Sequence, residues 1–241
     1  MKATSGWDEI LATYSPEKRQ WDRTYPWIAF VLRPASFVIT WLLPSWVTAN
    51  QVTLLSYAVA LASLLLMANG SQSAFVAGSV LLVLFNLIDC VDGNLARLRG
   101  SSSRFGRFLD ALAFPTFILP YFVLGIGLAR RGGSDATLVL AVGASTTILK
   151  LLVPDIRQIF HNSFGTESQA AGTENARVGH VGRWYYRLYY NLTDLQGHDI
   201  VLVAASLSNW VKEFLVLSFV VSIGEILAVL AFYIAKAWRR S

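Results

Sequence analysis

Apolar runs close to twenty residues long recur through this chain, and they constrain its fold more than any other feature. Residues 51–69, 74–98, 105–130, 136–158 and 214–236 are each apolar over the length of a bilayer crossing, which takes about 20 residues of helix. Residues 198–211 make a shorter sixth run. In hydrocarbon every backbone N–H and C=O must be satisfied internally, and runs of this length and composition do so as helices. The expected architecture is all-α: a polytopic membrane protein built as a six-helix transmembrane bundle.

Composition agrees. Of 241 residues, 54% are hydrophobic and 15% charged, against about a quarter charged in a soluble domain. The net charge of +5 suits loops that face anionic lipid. No Lys/Arg stripe on a soluble fold is visible, so nucleic acid is not an expected partner. The single cysteine, Cys90, rules out an intramolecular disulfide and reads as a small packing residue. The N-terminus is polar and aromatic, with no short apolar core before a small-residue cleavage site, so no cleavable signal peptide is expected.

The stretch 26–45, PWIAFVLRPASFVITWLLPS, is apolar but interrupted by Arg33-Pro34 and Pro44. A mid-span arginine and proline argue for an amphipathic helix at the interface, with tryptophans at headgroup level. A true crossing is the alternative. Residues 1–48 are thus expected to form a cytoplasmic N-terminus with an interfacial helix, and 49–241 the six-span membrane domain. With the N-terminus inside, Lys18, Arg19, Arg23, Arg97, Arg99, Arg104, Arg107, Arg157, Arg177, Arg183, Arg187, Arg239 and Arg240 fall on the cytoplasmic side. Only Arg130, Arg131 and Lys212 fall opposite. By the positive-inside rule both termini are cytoplasmic, in an integral, multi-pass membrane protein.

One stretch places charge where it is expensive. DCVDGNLARLRGSSSRFGRFLDALAF, residues 89–114, ends one apolar run with Asp89, Asp92 and Arg97 and opens the next with Asp110. Asp89 and Asp92 share a helical face. The connection is short, so the next helix is antiparallel and adjacent, and the three carboxylates can converge at the cytoplasmic mouth. Unpaired anions there repel and are costly to desolvate. A divalent cation removes the conflict, and hard oxygen ligands favour Mg²⁺ or Mn²⁺. Magnesium commonly shares its coordination with phosphate oxygens, so a diphosphate is the natural partner. Gly93, Ala96 and Gly106 allow a ligand close to the backbone, and Arg97 offers phosphate a bidentate fork. The alternative is structural: the aspartates pair with Arg97, Arg104 and Arg107, and the small residues serve helix packing.

The pattern Asp89-x2-Asp92-Gly93-x2-Ala96-Arg97-x8-Gly106-x3-Asp110 resembles the signature of the CDP-alcohol phosphatidyltransferases, D-x2-D-G-x2-A-R-x8-G-x3-D-x3-D. Arg33-Pro34 and Asn50-Gln51-Val52-Thr53 are similar to the family as well. The resemblance implies a six-span, Mg²⁺-dependent enzyme with two ions, which displaces CMP from a CDP-linked lipid or alcohol onto a hydroxyl acceptor, as in phospholipid biosynthesis. By motif position Asp89, Asp92 and Asp110 would be the metal ligands. Gly93, Ala96, Arg97 and Gly106 would shape and charge the substrate site, with Asp110 and Arg97 as catalytic residues. A membrane lipid would be the partner, and a homodimer the expected assembly.

The last motif position departs. Where the family has a fourth aspartate, thought to be the general base, this chain has Phe114. Phenylalanine neither accepts a proton nor binds a hard cation. Three readings follow: a transferase whose base lies elsewhere, a repurposed enzyme ionising a prenyl diphosphate in the manner of a terpene cyclase, or an inactive homologue. In the second, Phe114 would join Phe105, Phe108 and Phe117 as aromatic surface for a carbocation. For the first, Asp155, His161, His198 and Asp199 are the candidate substitutes.

Three other signals stand apart. Lys150 lies within the fourth run and either pairs with Asp155 or meets a substrate phosphate. Glu225 is a similar isolated charge, expected to pair with a neighbouring helix. The aromatic-basic run RWYYRLYY, 183–190, in a loop expected over 159–197, is either an interfacial anchor or a lid near the site. His161, His180 and His198 have no metal-ligand spacing.

Overall fold

The computed structural model describes residues 6–100, 104–164, 184–193 and 195–239. The side chains of Arg104, Arg107, Asp110, Phe114 and the stretches 184–187 and 195–197 lie outside that description, as do Arg177, His180, Arg183 and Arg240.

Every described regular element is a helix. Two short helices, α1 (Trp7–Ala12) and α2 (Pro16–Asp22), lead through a π-helical turn at Ile28–Leu32 into α3 (Arg33–Leu42). The π turn falls where Pro34 lacks the amide that would bond to the carbonyl of Phe30. The apolar helical stretch Ile28–Leu42 is shorter than a crossing. Its buried face mixes Arg33, Ser36 and Thr40 with Ile28, Leu32 and Phe37, while Phe30, Val31, Val38, Trp41 and Leu42 are exposed. Large apolar side chains therefore cover the outer face, as on a helix against lipid.

The long helices follow: α4 (Ala49–Asn69), α5 (Gln72–Leu98), α6 (Arg104–Arg130) and α7 (Ala136–Phe164). They are succeeded by α8 (Trp184–Thr193), α9 (Leu195–Leu207) and α10 (Val211–Trp238). Among the described residues α4, α5, α7 and α10 are long and apolar enough to cross a membrane, and α6 contributes the apolar stretch Thr116–Arg130. The chain is therefore an all-α, polytopic integral membrane protein.

Local sequence sets the ends of these helices. Thr48 and Gln51 form a capping box at the start of α4. Gly70 ends α4 in the left-handed conformation, φ +86°. A side chain at Gly70 would also collide with the backbone of Gly127, 2.2 Å from its carbonyl oxygen. Arg131 closes this end of the bundle: its Nε donates to the Gly70 carbonyl at 2.6 Å, and its Nη atoms donate to Gln72 and Asn209.

The core lies between α4, α5, α6, α9 and α10, around Met67, Phe75, Phe85, Tyr121, Leu124, Leu202 and Leu215. Phe85 of α5 packs on Phe117 of α6, ring centroids 5.1 Å apart. The region read from sequence as a loop over 159–197 differs at both ends. Helix α7 continues to Phe164, and the aromatic-basic run is helical from Trp184. Its inner side, Tyr189 to Asn191, packs on the protein rather than only on lipid. Tyr190 meets the rings of Trp21 and Tyr25, and Asn191 donates to the Thr24 carbonyl.

Candidate functional site

The site builds from the last turns of α5. Asp92 is buried, at 6% exposure, and its Oδ2 accepts a 2.6 Å hydrogen bond from the Thr53 hydroxyl of α4. Asp89, one turn earlier, is half-buried. The register between α5 and α6 follows from the Phe85–Phe117 pair. Two turns on from Phe85 along α5 is Asp92, and two turns back from Phe117 along α6 is Asp110. Seven residues from the ring pair along each helix, the two positions lie at one level of the bundle, with α4 packed against both helices. The backbone agrees, for Tyr57, one turn after Thr53 on α4, donates its hydroxyl to the carbonyl of Leu109. Helices α4, α5 and α6 thus bring Asp89, Asp92 and the Asp110 turn to one end of the bundle. The Asp110 and Phe114 side chains lie outside the described residues.

Arg97 is exposed at the same end. Its guanidinium lies over Gly93, where a Cβ would stand 3.4 Å from Nη1. The guanidinium thus folds back along the helix at ordinary van der Waals distance from the Gly93 position. Arg97 Nη2 also donates to Asn94 Oδ1 at 2.9 Å. Ala96 is half-buried, and so is Gly106, at the start of α6.

Behind this surface lies a buried polar network from the N-terminal helices. Arg33, 3% exposed, donates through Nε to Asp22 Oδ2 at 2.7 Å and through Nη1 to Asn94 Oδ1 at 3.1 Å. Asn94 Nδ2 donates to the Ser36 hydroxyl at 2.9 Å. Asp22 is also held by Lys18, at 3.4 Å. Burial and the nearby Asp22 charge push the Tyr14 hydroxyl up to about 12. The sequence reading found Arg33 but missed Asp22 and Asn94. Asn94 occupies an unspecified position within DGNLAR, and Asp22 sits in a run read only as basic.

Two carboxylates on one face, one of them oriented by a hydroxyl, are a donor set of hard oxygens. Mg²⁺ takes one or two protein carboxylates and completes its octahedron with water or phosphate. The residues present fit that ion, although no group of three or more His, Cys, Asp or Glu side chains forms among the described residues.

Lys150 belongs elsewhere. Its Nζ lies 2.7 Å from Glu225 Oε2 on α10 and also donates to the Thr193 carbonyl. Tyr189 donates to Glu225 Oε1 at 2.6 Å and accepts from Arg157 at 2.7 Å. The partner expected at Asp155 is therefore Glu225, and the two isolated intramembrane charges satisfy each other. The expectation that Lys150 meets a phosphate gives way to this pairing, because a carboxylate at contact distance already neutralises the ammonium. Asp199, fully buried, accepts from Asn86 at 2.8 Å, one turn before Asp89 on α5. His161 meets the rings of Phe160 and of Tyr233 on α10 edge-on at the end of α7.

Fold and site together define a polytopic membrane protein with a carboxylate and guanidinium cluster at one end of its helices. The profile of the CDP-alcohol phosphatidyltransferase family matches residues 46–174, just over half of the chain and all of this cluster. The chain belongs to that family. It is 33% identical over 114 residues to a phosphatidylinositol phosphate synthase from Streptomyces avermitilis. The aligned part is 47% of this chain and 46% of that protein, so the match spans about half the length of its relative.

Proposed function

We propose that this chain is a Mg²⁺-dependent membrane transferase that displaces CMP from a CDP-linked lipid or alcohol onto a hydroxyl acceptor. The observation that carries the reading is Asp92, held by Thr53 on the face shared with Asp89 and at the level of the Asp110 turn, with the Arg97 fork at the same end of α5. Family membership over 46–174 and the identity to a phosphatidylinositol phosphate synthase support a phospholipid-type reaction.

In this reading Asp89, Asp92 and Asp110 hold two Mg²⁺ or Mn²⁺ ions, and Arg97 takes the diphosphate. Bound metal neutralises the diphosphate and stabilises the departing phosphate. The chain's own residues do the rest. Thr53 fixes one Asp92 oxygen, Gly93 and Ala96 keep the α5 surface low, Gly106 does the same on α6, and Arg97 presents two donors in a plane. Residues 1–48 form the interfacial N-terminal segment and 49–241 a six-span domain, with α6 and α9 completing the bundle. The Lys/Arg asymmetry supports cytoplasmic termini and a cytoplasmic site. A homodimer is the proposed assembly.

Phe114 favours a second reading, in which the same metal and diphosphate site ionises a prenyl diphosphate with no acceptor. The two are separated by substrate. CMP release from CDP-diacylglycerol with an added polyol or polyol phosphate supports the transferase. Metal-dependent diphosphate release from a prenyl diphosphate alone supports the second. Asp89→Ala and Asp110→Ala are expected to abolish whichever activity is found; near wild-type turnover in either would remove the metal-site reading.

A further inference from the structure

The buried network behind Arg97 has more charge than packing needs. Asn94 Oδ1 is shared by two guanidinium groups, Arg33 Nη1 at 3.1 Å and Arg97 Nη2 at 2.9 Å. Both arginines only donate, so the amide must present its oxygen to them and its nitrogen to Ser36, as it does. Ser36 in turn donates to the Arg33 carbonyl at 2.7 Å, closing a ring of hydrogen bonds between α3 and α5. Asn94 is fully buried, and so is nearly all of Arg33. Neither can reach a ligand at the surface.

The charges within this ring are unequal in their compensation. Arg33 has a carboxylate, Asp22, at 2.7 Å. Among the described residues no carboxylate forms a salt bridge with Arg97. A neutral amide oxygen therefore orients the Arg97 fork without neutralising it. A carboxylate in the place of Asn94 would hold Arg97 more strongly and would also compete with any incoming anion. An amide separates orientation from neutralisation, and Asp22 keeps the second guanidinium from repelling the first.

We infer that Asn94, with Arg33 and Asp22 behind it, is a positioning group that presets the Arg97 guanidinium for a nucleoside diphosphate. The N-terminal helices are then part of the substrate site and not only a membrane anchor. The inference rests on the reading that Arg97 meets the donor diphosphate.

The test is a double-mutant cycle on the full-length chain in lipid nanodiscs, titrated calorimetrically with CDP in the presence of Mg²⁺. Arg97→Ala is expected to weaken CDP binding. Asn94→Ala is expected to weaken it by about tenfold, the scale of one hydrogen bond to a charged group. Acting through Arg97, the Asn94 change should add nothing in the Arg97→Ala background. Wild-type affinity in Asn94→Ala, or a full additive loss in the double variant, overturns the positioning role and leaves the diphosphate reading standing. No CDP binding by the wild-type chain, or none lost in Arg97→Ala, overturns the diphosphate reading and the inference with it. If Asn94→Ala does not yield a folded chain by size exclusion, Ser36→Ala carries the same cycle. It removes only the hydroxyl that fixes the amide's orientation, and about threefold weaker binding, dependent on Arg97, is expected. Binding unchanged in Ser36→Ala, or equally weakened without Arg97, overturns the role.

Discussion

Lys150 and Glu225 form an ion pair across α7 and α10, Nζ to Oε2 2.7 Å, with less than a tenth of either side chain exposed. Tyr189 and the Thr193 carbonyl complete the shell, so α8 is tied to both membrane helices by the same two charges. Removing one member of a buried pair leaves the other uncompensated, at a cost of about 3–5 kcal/mol. Replacing both by apolar residues of similar size avoids that penalty. Glu225→Leu and Lys150→Met are each expected to lower the melting temperature of the detergent-solubilised chain markedly. The double variant should recover much of the loss. A double variant less stable than either single would assign the pair a larger net stabilisation.

A second stability prediction comes from the close approach of α4 and α6. A Cβ at Gly127 would stand 2.1 Å from the Met67 carbonyl oxygen and 2.8 Å from the Phe75 ring. The first neighbour is backbone and cannot rotate away, so the helices must separate. Overpacking of this kind costs about 1–3 kcal/mol. Gly127→Ala is expected to destabilise by that order in thermal unfolding. Gly93→Ala should not, because its Cβ would meet only the movable Arg97 guanidinium at ordinary contact distance.

The long helices were legible in the sequence because hydrocarbon imposes a simple requirement, and α4, α5, α7 and α10 follow the apolar runs closely. The aspartates of the candidate site were legible because carboxylates at the end of an apolar run need a reason. The partners of those charges were not legible. Lys150 is closer in sequence to Asp155, yet Glu225 lies on a helix packed against it. Residues 184–193 carry their aromatics in runs with few polar residues between, and only their partners on the N-terminal helices show which side turns inward. Asn94 carries no charge and no periodic signal, so its place between two arginines emerges only from the packing of α3 on α5.

The hydroxyl of Thr53 gives a prediction about the metal. It donates to one Asp92 oxygen at 2.6 Å and so orients the carboxylate for the ion that the proposed function requires. Loss of an outer hydrogen bond of this kind typically weakens metal affinity by about 10–100-fold. Thr53→Val keeps the shape and removes the donor. It is expected to shift the Mg²⁺ concentration for half-maximal activity upward within that range, with little change at saturating metal. Asp92→Asn should instead lose activity at every Mg²⁺ concentration. A Mg²⁺ titration of both variants against the wild type makes the comparison.

Phe114 is the position where the reaction itself can be read. It stands one helical turn after Asp110 on α6, where the family pattern places its final aspartate. A missing general base commonly costs about 10²–10⁴-fold in rate. If the chain is a transferase limited only by that loss, Phe114→Asp should raise CMP release from CDP-diacylglycerol by a comparable factor, with the same Mg²⁺ requirement. If the site instead ionises a prenyl diphosphate, a new carboxylate opposes the metal-bound leaving group and removes an aromatic face from the cation. Diphosphate release from the prenyl substrate should then fall in the same variant. Measuring both reactions on wild type and Phe114→Asp gives opposite signs for the two readings, and no change in either would show that position 114 takes no part in the chemistry.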